Sequence, residues 1–155
     1  MTCIAYKSGF LASDSAVTED GSLCGSMIKI TRAPDGSMAG ACGGASSLAM
    51  FLNWIHKGRH GAKPNVGEDK DFSGLFIAPT GIVSTYEAPM YPFIMANDFY
   101  AFGSGADVAM GAMAAGADAI RAVRIACKFN VYCSEPIYVF RLDGEPHRLN
   151  PPGLQ

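Results

Sequence analysis

The sequence contains little charge and has no basic stripe. Only 17% of its 155 residues are charged, the net charge is −2, and the lysines and arginines are scattered. A surface that binds a phosphate backbone needs clustered positive charge, so we expect no nucleic-acid partner. Apolar residues make up 49% of the chain, a composition that argues against disorder and favours a large buried core or a subunit interface.

Paired CxxC cysteines and long apolar runs are also absent. The five cysteines are odd in number, which fits reduced thiols in a cytoplasm better than a disulfide framework or a zinc site. No apolar run approaches the roughly 20 residues of a membrane span, and the N-terminus has no signal-peptide pattern. We therefore predict a cytoplasmic protein with no membrane partner, and one domain over residues 1–155. We expect the thiols to be small core residues: Cys3, Cys24, Cys42, Cys127 and Cys133.

Strand-like and helix-like segments follow one another in an order typical of an α+β protein. Alternating runs and turn signals over the first 44 residues predict an antiparallel meander, and residues 74–102 predict a second sheet. This order indicates segregated layers and not a parallel α/β alternation. The first strands are predicted over Cys3–Tyr6, Phe10–Val17, Ser26–Arg32 and Ser37–Cys42, the helices over Ala45–Lys57, Ala106–Gly116 and Ala117–Phe129, and the closing strands over Val131–Tyr132 and Ile137–Leu142.

Three short motifs suggest chemistry but lack the context that it requires. The stretch Ser26-Met27-Ile28-Lys29 matches the SxxK of acyl-serine enzymes, yet it is strand-like and has no KTG partner. His56 and His60 are four residues apart, but Gly58 breaks the helix between them and no acidic ligand completes a metal site. We expect both histidines to face solvent, and we predict no metal and no cofactor. Gly103-Ser104-Gly105 lacks the rest of a phosphate loop and by itself predicts a strand-to-helix turn.

Thr2 directly follows the initiator methionine and precedes a strand-like run. Its small side chain permits routine removal of Met1, which would leave a free α-amine beside the Thr2 hydroxyl. An unperturbed α-amine has a pKa of ~7.7–8.0, so a useful fraction is free base near neutral pH. One residue would then supply both the nucleophile and the base of a hydrolase. The alternative is that Thr2 is merely the residue after methionine.

Asp14 and Lys29 are the charged pair available to activate such a hydroxyl. Both fall in strand-like runs, where an inward-facing charge is unfavourable unless it is paired. A nearby lysine ammonium would lower the pKa of the hydroxyl, and a buried carboxylate would keep that lysine charged and in place. The alternative is an ion pair with a structural role alone.

Four segments resemble the proteasome β-subunit family, and especially its bacterial heat-shock-locus V peptidase branch. They are "TCIAYKSGFLASDSAVT", "MIKI", "SMAGACGG" and "AFGSGADVAMGAM", and they occur in the order of the family over nearly the whole chain to Leu142. The resemblance implies a four-layer αββα N-terminal nucleophile (Ntn) hydrolase fold. It implies that Thr2 is the nucleophile, that Asp14 and Lys29 activate it, that the Gly40 amide is the oxyanion donor and that Ser104 bonds near the free amine.

The resemblance also implies a substrate and an assembly. The chain would be a threonine endopeptidase that cleaves peptides or unfolded proteins after apolar residues, inside a homo-oligomeric ring with a possible ATPase unfoldase partner. Methionine removal alone would expose Thr2, and Asn130 stands where proteasomes have an aspartate. A small-molecule amidase of the same superfamily and a catalytically silent scaffold subunit are the alternatives. The implied substrate-binding residues are Val17, Thr18, Met27, Thr31, Met38 and Cys42.

Overall fold

Two five-stranded antiparallel sheets form the centre of the computed structural model, which describes residues 1–143 and the backbone of His147–Leu149. The predicted domain extends to residue 155, and its last residues, 150–155, lie outside the described part. The strands are β1 (Ile4–Lys7), β2 (Phe10–Ser13), β3 (Ala16–Glu19), β4 (Ser22–Ser26), β5 (Ile30–Arg32), β6 (Met38–Cys42), β7 (Ser73–Ile77), β8 (Val83–Glu87), β9 (Tyr91–Ile94), β10 (Phe99–Phe102), β11 (Ile137–Arg141) and β12 (His147–Leu149). The helices of this part are α1 (Ala45–His56), α2 (Ala106–Ala114) and α3 (Ala119–Phe129).

The chain passes repeatedly between the two sheets. Sheet I has the order β10-β1-β2-β11-β12, sheet II has the order β5-β6-β7-β8-β9, and β3 pairs with β4 in a separate ribbon. The prediction of one meander followed by a second sheet is therefore wrong. Hairpins were recognisable from their turn residues, but the hydrophobic pattern does not show which sheet each hairpin joins.

Three apolar clusters hold four layers together. Ile4, Leu11 and Tyr100 of sheet I pack between the sheets against Ile30 and Leu75 of sheet II. The other face of sheet II is covered by α1, and the other face of sheet I is covered by α2 and α3. The central strands of each sheet are thus covered on both faces, whereas the edge strand β9 is largely exposed. The predicted αββα architecture is confirmed.

Two predicted strands are interrupted by a polar side chain that accepts a hydrogen bond from the backbone amide two residues later. The run Phe10–Val17 breaks at Asp14, whose Oδ2 accepts from the Ala16 amide at 3.0 Å. Residues 131–132 form a turn and not the predicted strand, because Asn130 Oδ1 accepts from the Tyr132 amide at 2.9 Å. Asp and Asn favour such local bonds, which compete with sheet pairing.

Most other local predictions agree with the structure. The three predicted helices are present within two residues of their expected ends, and His56 and His60 are exposed as expected. Cys24 is exposed, contrary to the prediction of a core thiol, because β4 belongs to the ribbon and is open to solvent along its length. Within the described part of the chain, no helix has the length and apolar character needed to cross a membrane.

Phe51 of α1 is the centre of the cluster between this helix and sheet II. Its ring lies 5.5 Å from the Phe72 ring and 5.4 Å from the Tyr86 ring, centroid to centroid. Gly74 of β7 lies directly beneath it, since a Cβ there would come within 2.6 Å of the ring. The helix therefore rests on sheet II through one close aromatic contact.

We predict that Phe51→Ala lowers the free energy of unfolding by about 3–5 kcal/mol, because the removed ring leaves a cavity that the strands below do not fill. The neighbouring Met50 is 41% exposed, so Met50→Ala is the matched control. It should change the free energy of unfolding by less than about 0.5 kcal/mol. Urea unfolding followed by circular dichroism measures both. Equal losses in the two variants would contradict this account of the packing.

Candidate active site

Thr2 is buried two residues before β1, at the turn that leads from β10 into α2. Its amide donates to Ser104 Oγ at 3.3 Å, and its carbonyl oxygen accepts from the Gly105 amide at 3.1 Å. Ser104 Oγ also donates to that carbonyl at 3.4 Å. The turn 103–105 therefore fixes the main chain of Thr2, and β1 begins at Ile4, one residue after the predicted start at Cys3.

Gly103 permits this close approach. It has a φ of +92°, which disfavours any residue with a Cβ, and a Cβ at this position would overlap the Thr2 carbonyl oxygen. The third residue of the turn, Gly105, is also enclosed, because a Cβ there would lie 2.7 Å from Cys3 Cβ. Both glycines thus have a packing role that the sequence pattern alone did not distinguish from an ordinary turn.

Asp14 is fully buried and accepts four hydrogen bonds. Oδ1 accepts from the Cys3 amide at 2.9 Å and from Lys29 Nζ at 3.0 Å. Oδ2 accepts from the amides of Ala16 at 3.0 Å and Ser134 at 3.2 Å. A buried carboxyl group without such partners would be strongly unfavourable, and these four bonds occupy both of its oxygen atoms. Asp14 therefore ties the N-terminus to the loop after α3.

Lys29 is 1% exposed and places its ammonium group beside the N-terminus. Besides the ion pair with Asp14, Nζ donates to the Met1 carbonyl oxygen at 2.8 Å. Lys29 lies in the segment between β4 and β5, and Asp14 between β2 and β3, so neither is within a strand as predicted. The ends of these strands converge, which brings the two charges together.

An open cavity of about 490 Å³ adjoins Thr2. Its walls are formed by the N-terminus, by the glycine pair between β6 and α1, and by the turn before α2. Solvent and a ligand therefore have access to the neighbourhood of Thr2. The lining residues are Met1, Thr2, Cys42, Gly43, Gly44, Asp71, Gly103 and Ser104.

Gly40, the predicted oxyanion donor, is not brought to this cavity. It lies within β6, where Ala41 donates to the Lys29 carbonyl of the β5 side and Gly40 pairs with Leu75 of β7. Because amides alternate along a strand, the Gly40 amide points toward β7. Gly43, which the sequence analysis missed, lines the cavity with a φ of +118°, and a Cβ there would lie 2.7 Å from the Phe72 backbone.

Asp69 fixes the glycine pair from the loop before β7. Its Oδ2 accepts from the Gly44 amide at 3.0 Å, and its Oδ1 accepts from the Asp71 amide at 3.1 Å. The bonds from Gly44 and from the Ser47 side chain hold the pKa of the Asp69 carboxyl below its usual value. The contact stabilises the fold at pH values above the ordinary pKa of an aspartate and is lost as the pH falls through the lowered one. No sequence motif marked this residue.

Asn130 supports the same turn as Thr2. Its Nδ2 donates to the Ser104 carbonyl oxygen at 2.7 Å, and its own turn begins the loop that carries Ser134. The neutral side-chain amide of Asn130 thus fixes the main chain of the turn at Ser104. This contact gives a structural role to the residue that stands where proteasomes have an aspartate.

The six residues predicted to bind substrate are only partly brought together. Cys42 lines the cavity, and Thr18 lies at its edge, where its Oγ1 accepts from the Met1 amine at 3.2 Å. Met38 is fully buried between the sheets and does not line the cavity. Val17, Met27 and Thr31 are half-buried, and Met27 packs at the border of the α1 cluster.

The chain matches no family model and no curated protein by sequence. It is similar to the solved structure of BPH from Thiobacillus denitrificans in complex with epoxomicin, with 21% identity, a TM-score of 0.64, and 97% of this chain and 99% of that chain covered. For BPH alone the identity is 20%, the TM-score 0.58, and the coverage 93% and 99%. For eukaryotic HslV from Trypanosoma brucei the identity is 19%, the TM-score 0.62, and the coverage 90% and 97%.

The chain has the HslV fold. The similarity extends over nearly all of both partners, so the layers and their order are shared and not only one sheet. The four-layer αββα fold implied by the sequence resemblance is therefore confirmed. At these identities the match concerns the fold, and the chemistry must be argued from the residues of the site.

We predict that Gly103→Ala lowers the free energy of unfolding by about 1–3 kcal/mol more than Gly21→Ala does. Both glycines have positive φ, but a Cβ on Gly21 meets no atom within 4 Å, so this control carries only the backbone cost. Urea unfolding of the two variants gives the difference. If they were equally destabilised, the Gly103 turn would not be in contact with Thr2.

Proposed function

We propose that the chain is a threonine peptidase whose nucleophile is Thr2 after removal of Met1. One observation carries the proposal: the buried Lys29 ammonium bridges Asp14 and the Met1 carbonyl, which belongs to the peptide bond before Thr2. A lysine with a structural role alone could satisfy its ammonium group with any carbonyl oxygen, so its contact with this particular peptide bond supports a role at Thr2. The alternative of a silent scaffold subunit gives no reason for this placement.

Met1 blocks the chemistry while it is attached. The Thr2 nitrogen is then a peptide nitrogen, which is not basic and cannot accept the proton of the hydroxyl. Removal of Met1 frees an α-amine at the position where Ser104 Oγ already lies 3.3 Å from the nitrogen. It also releases the Lys29 ammonium from the Met1 carbonyl, so that its positive charge acts on Thr2.

The reaction follows the chemistry of acyl transfer. The Thr2 hydroxyl oxygen attacks the substrate carbonyl carbon while the free α-amine accepts its proton, and Lys29 stabilises the developing alkoxide. The protonated amine then gives the proton to the leaving amine, which leaves an ester on Thr2. Water activated by the same amine hydrolyses the ester. Asp14 holds the Lys29 ammonium group in place throughout, and Ser104 orients the amine.

We assign the oxyanion donor to the amide of Gly43 and not to that of Gly40. Gly43 lines the cavity beside Thr2, whereas the Gly40 amide is used within sheet II. Asp69 holds the adjacent Gly44 amide and so orients this segment. A fixed main-chain donor at the edge of the cavity is the arrangement that stabilises a tetrahedral intermediate.

Peptides or unfolded segments are the substrate class that we propose. The cavity is open to solvent, and Cys42 gives its wall an uncharged side chain. That the half-buried Val17 and Met27 extend this wall into an apolar pocket rests on the sequence resemblance. An extended peptide would bond to the main chain of Thr18. BPH is known in complex with epoxomicin, so we expect the Met1-free form of this chain to bind epoxomicin as well.

We predict that Thr2→Ala abolishes hydrolysis of a fluorogenic peptide amide without changing the fold, since only a hydroxyl and a methyl group are lost. Thr2→Ser is the matched control, because it keeps a hydroxyl beside a removable methionine and should retain activity. Lys29→Ala should lose nearly as much activity as Thr2→Ala. Intact mass must first establish the fraction of each sample that lacks Met1.

A second comparison separates the loss of the hydroxyl from a failure to remove methionine. Protein that retains Met1 is treated with methionine aminopeptidase, and activity should rise in proportion to the Met1-free fraction. Epoxomicin should raise the thermal midpoint of the Met1-free form only. Full activity in Thr2→Ala, or activity that is independent of Met1 removal, would exclude Thr2 as the nucleophile.

We further predict that the protein sediments as a ring of about six or seven copies, or as two such rings stacked. Large apolar side chains remain exposed on the single chain, including Val131 at 86%, Tyr91 at 77% and Ile94 at 74%. Exposed large apolar side chains of this kind are typical of a subunit interface. Analytical ultracentrifugation at micromolar concentration is the test, and a monomer would favour the small-molecule amidase.

A further inference from the structure

Three cysteines cluster behind the candidate active site, and the proposed peptidase chemistry uses none of them. Cys3 follows Thr2 directly, Cys127 lies on α3, and Cys133 lies in the loop between α3 and β11. All three belong to the cluster that packs α2 and α3 on sheet I. Cys3 is adjacent to Thr2, and Cys133 is adjacent to Ser134, whose amide donates to Asp14. A chemical change at these thiols would therefore occur next to the candidate active site.

Cys3 and Cys133 place their sulfur atoms side by side. A Cβ on Gly105 would lie 3.1 Å from Cys3 Sγ and 2.9 Å from Cys133 Sγ, so both sulfur atoms border the same space beside Gly105. Cys133 Sγ also lies 4.0 Å from Ser104 Oγ, the hydroxyl that contacts the Thr2 amide. A side chain at position 105 would overlap both sulfur atoms, so the glycine leaves the space that they occupy.

A second cavity, of about 500 Å³, lies between α3 and the loop that follows it and reaches Cys133. Cys133 and Cys127 are both in its wall, whereas Cys3 is fully buried. A small reagent in the cavity therefore meets Cys133 before it meets Cys3. The lining residues are Arg124, Ile125, Cys127, Lys128, Cys133, Ser134 and Glu135.

The surroundings of the three thiols make them chemically unequal. The hydrogen bonds from Cys3 and then from Ser104 lower the pKa of Cys133, although burial opposes them. The pKa of Cys3 is raised by the same bond and by burial, and burial raises the pKa of Cys127 to about 12. Since the thiolate is the reactive form, Cys133 is the nucleophile of the three.

We propose that Cys133 is a peroxide-reactive thiol and that Cys3 is its resolving partner, so that oxidation joins the two in a disulfide behind Thr2. The Cys133 thiolate attacks one oxygen of hydrogen peroxide, which breaks the O–O bond and gives a sulfenic acid and hydroxide. Cys3 sulfur then attacks the sulfenic sulfur, its proton passes to the departing hydroxide, and water leaves. In sum, two thiols and one peroxide give one disulfide and two waters.

The disulfide would act on the site through contacts that already exist. Bond formation consumes the thiol that lies against Ser104 and pulls on Cys3, whose amide is bonded to Asp14 Oδ1. The main chain of Thr2 lies between these two contacts, because its own amide donates to Ser104 and the next amide, that of Cys3, donates to Asp14. Oxidation should therefore displace the nucleophile, and reduction by a dithiol should restore it.

The test uses the full chain carrying Cys24→Ser, because Cys24 is exposed and would react independently. The protein is treated with hydrogen peroxide, its remaining thiols are alkylated, and its peptides are mapped by mass spectrometry. We expect a Cys3–Cys133 peptide pair, a loss of two hydrogen atoms in intact mass, and reversal by dithiothreitol. A Cys127–Cys133 pair, or a Cys133 that stays reduced while Cys127 is oxidised, would overturn the proposal.

Two further variants identify the role of each thiol. In Cys3→Ser, Cys133 should accumulate as a sulfenic acid that dimedone traps, whereas Cys127→Ser should leave disulfide formation unchanged. These readouts need no enzymatic activity, so they remain valid if the proposed peptidase function fails. If the Met1-free protein is active, oxidation should abolish most of the activity in the Cys24→Ser and Cys127→Ser proteins and should spare Cys3→Ser.

Discussion

The buried ion pair between Asp14 and Lys29 is the constraint on which the rest of the site depends. Neither charge tolerates this environment alone, and each side of the pair draws a different part of the chain inward. Asp14 binds the amides of Cys3 and Ser134, and Lys29 binds the carbonyl before Thr2. The strands on both sides end where they do because these two side chains need main-chain partners that a regular ladder would consume.

Sequence reasoning anticipated which residues lie near Thr2 better than it anticipated their setting. Chemistry singled out Thr2, Asp14 and Lys29 as candidates, because few residue types are useful at such positions, and Ser104 was implied by the resemblance alone. The layers were also predictable, since runs of period two and helical runs occur in a segregated order. The assignment of hairpins to sheets was not, because β1 and β6 have similar apolar patterns although they belong to different sheets.

The other differences between the predictions and the structure arise from contacts of individual residues. The resemblance implied Gly40 as the oxyanion donor, and the alternation of amides along β6 shows that the Gly40 amide faces β7. Asp69 lies in a polar loop without a motif, and its contact with Gly44 bridges 25 residues of sequence. Asp14 and Asn130 interrupt strand-like runs through bonds to their own backbone, which strand propensity does not register.

Asp14 also connects the proposed peptidase site with the proposed thiol pair. The same carboxylate that holds Lys29 in place accepts from the amides of Cys3 and Ser134, so it fixes both segments that carry the thiol pair. The nucleophile and the thiols therefore share one support and do not move independently. Because packed interiors respond to small shifts in discrete steps, a covalent bond between Cys3 and Cys133 has a direct physical route to Thr2.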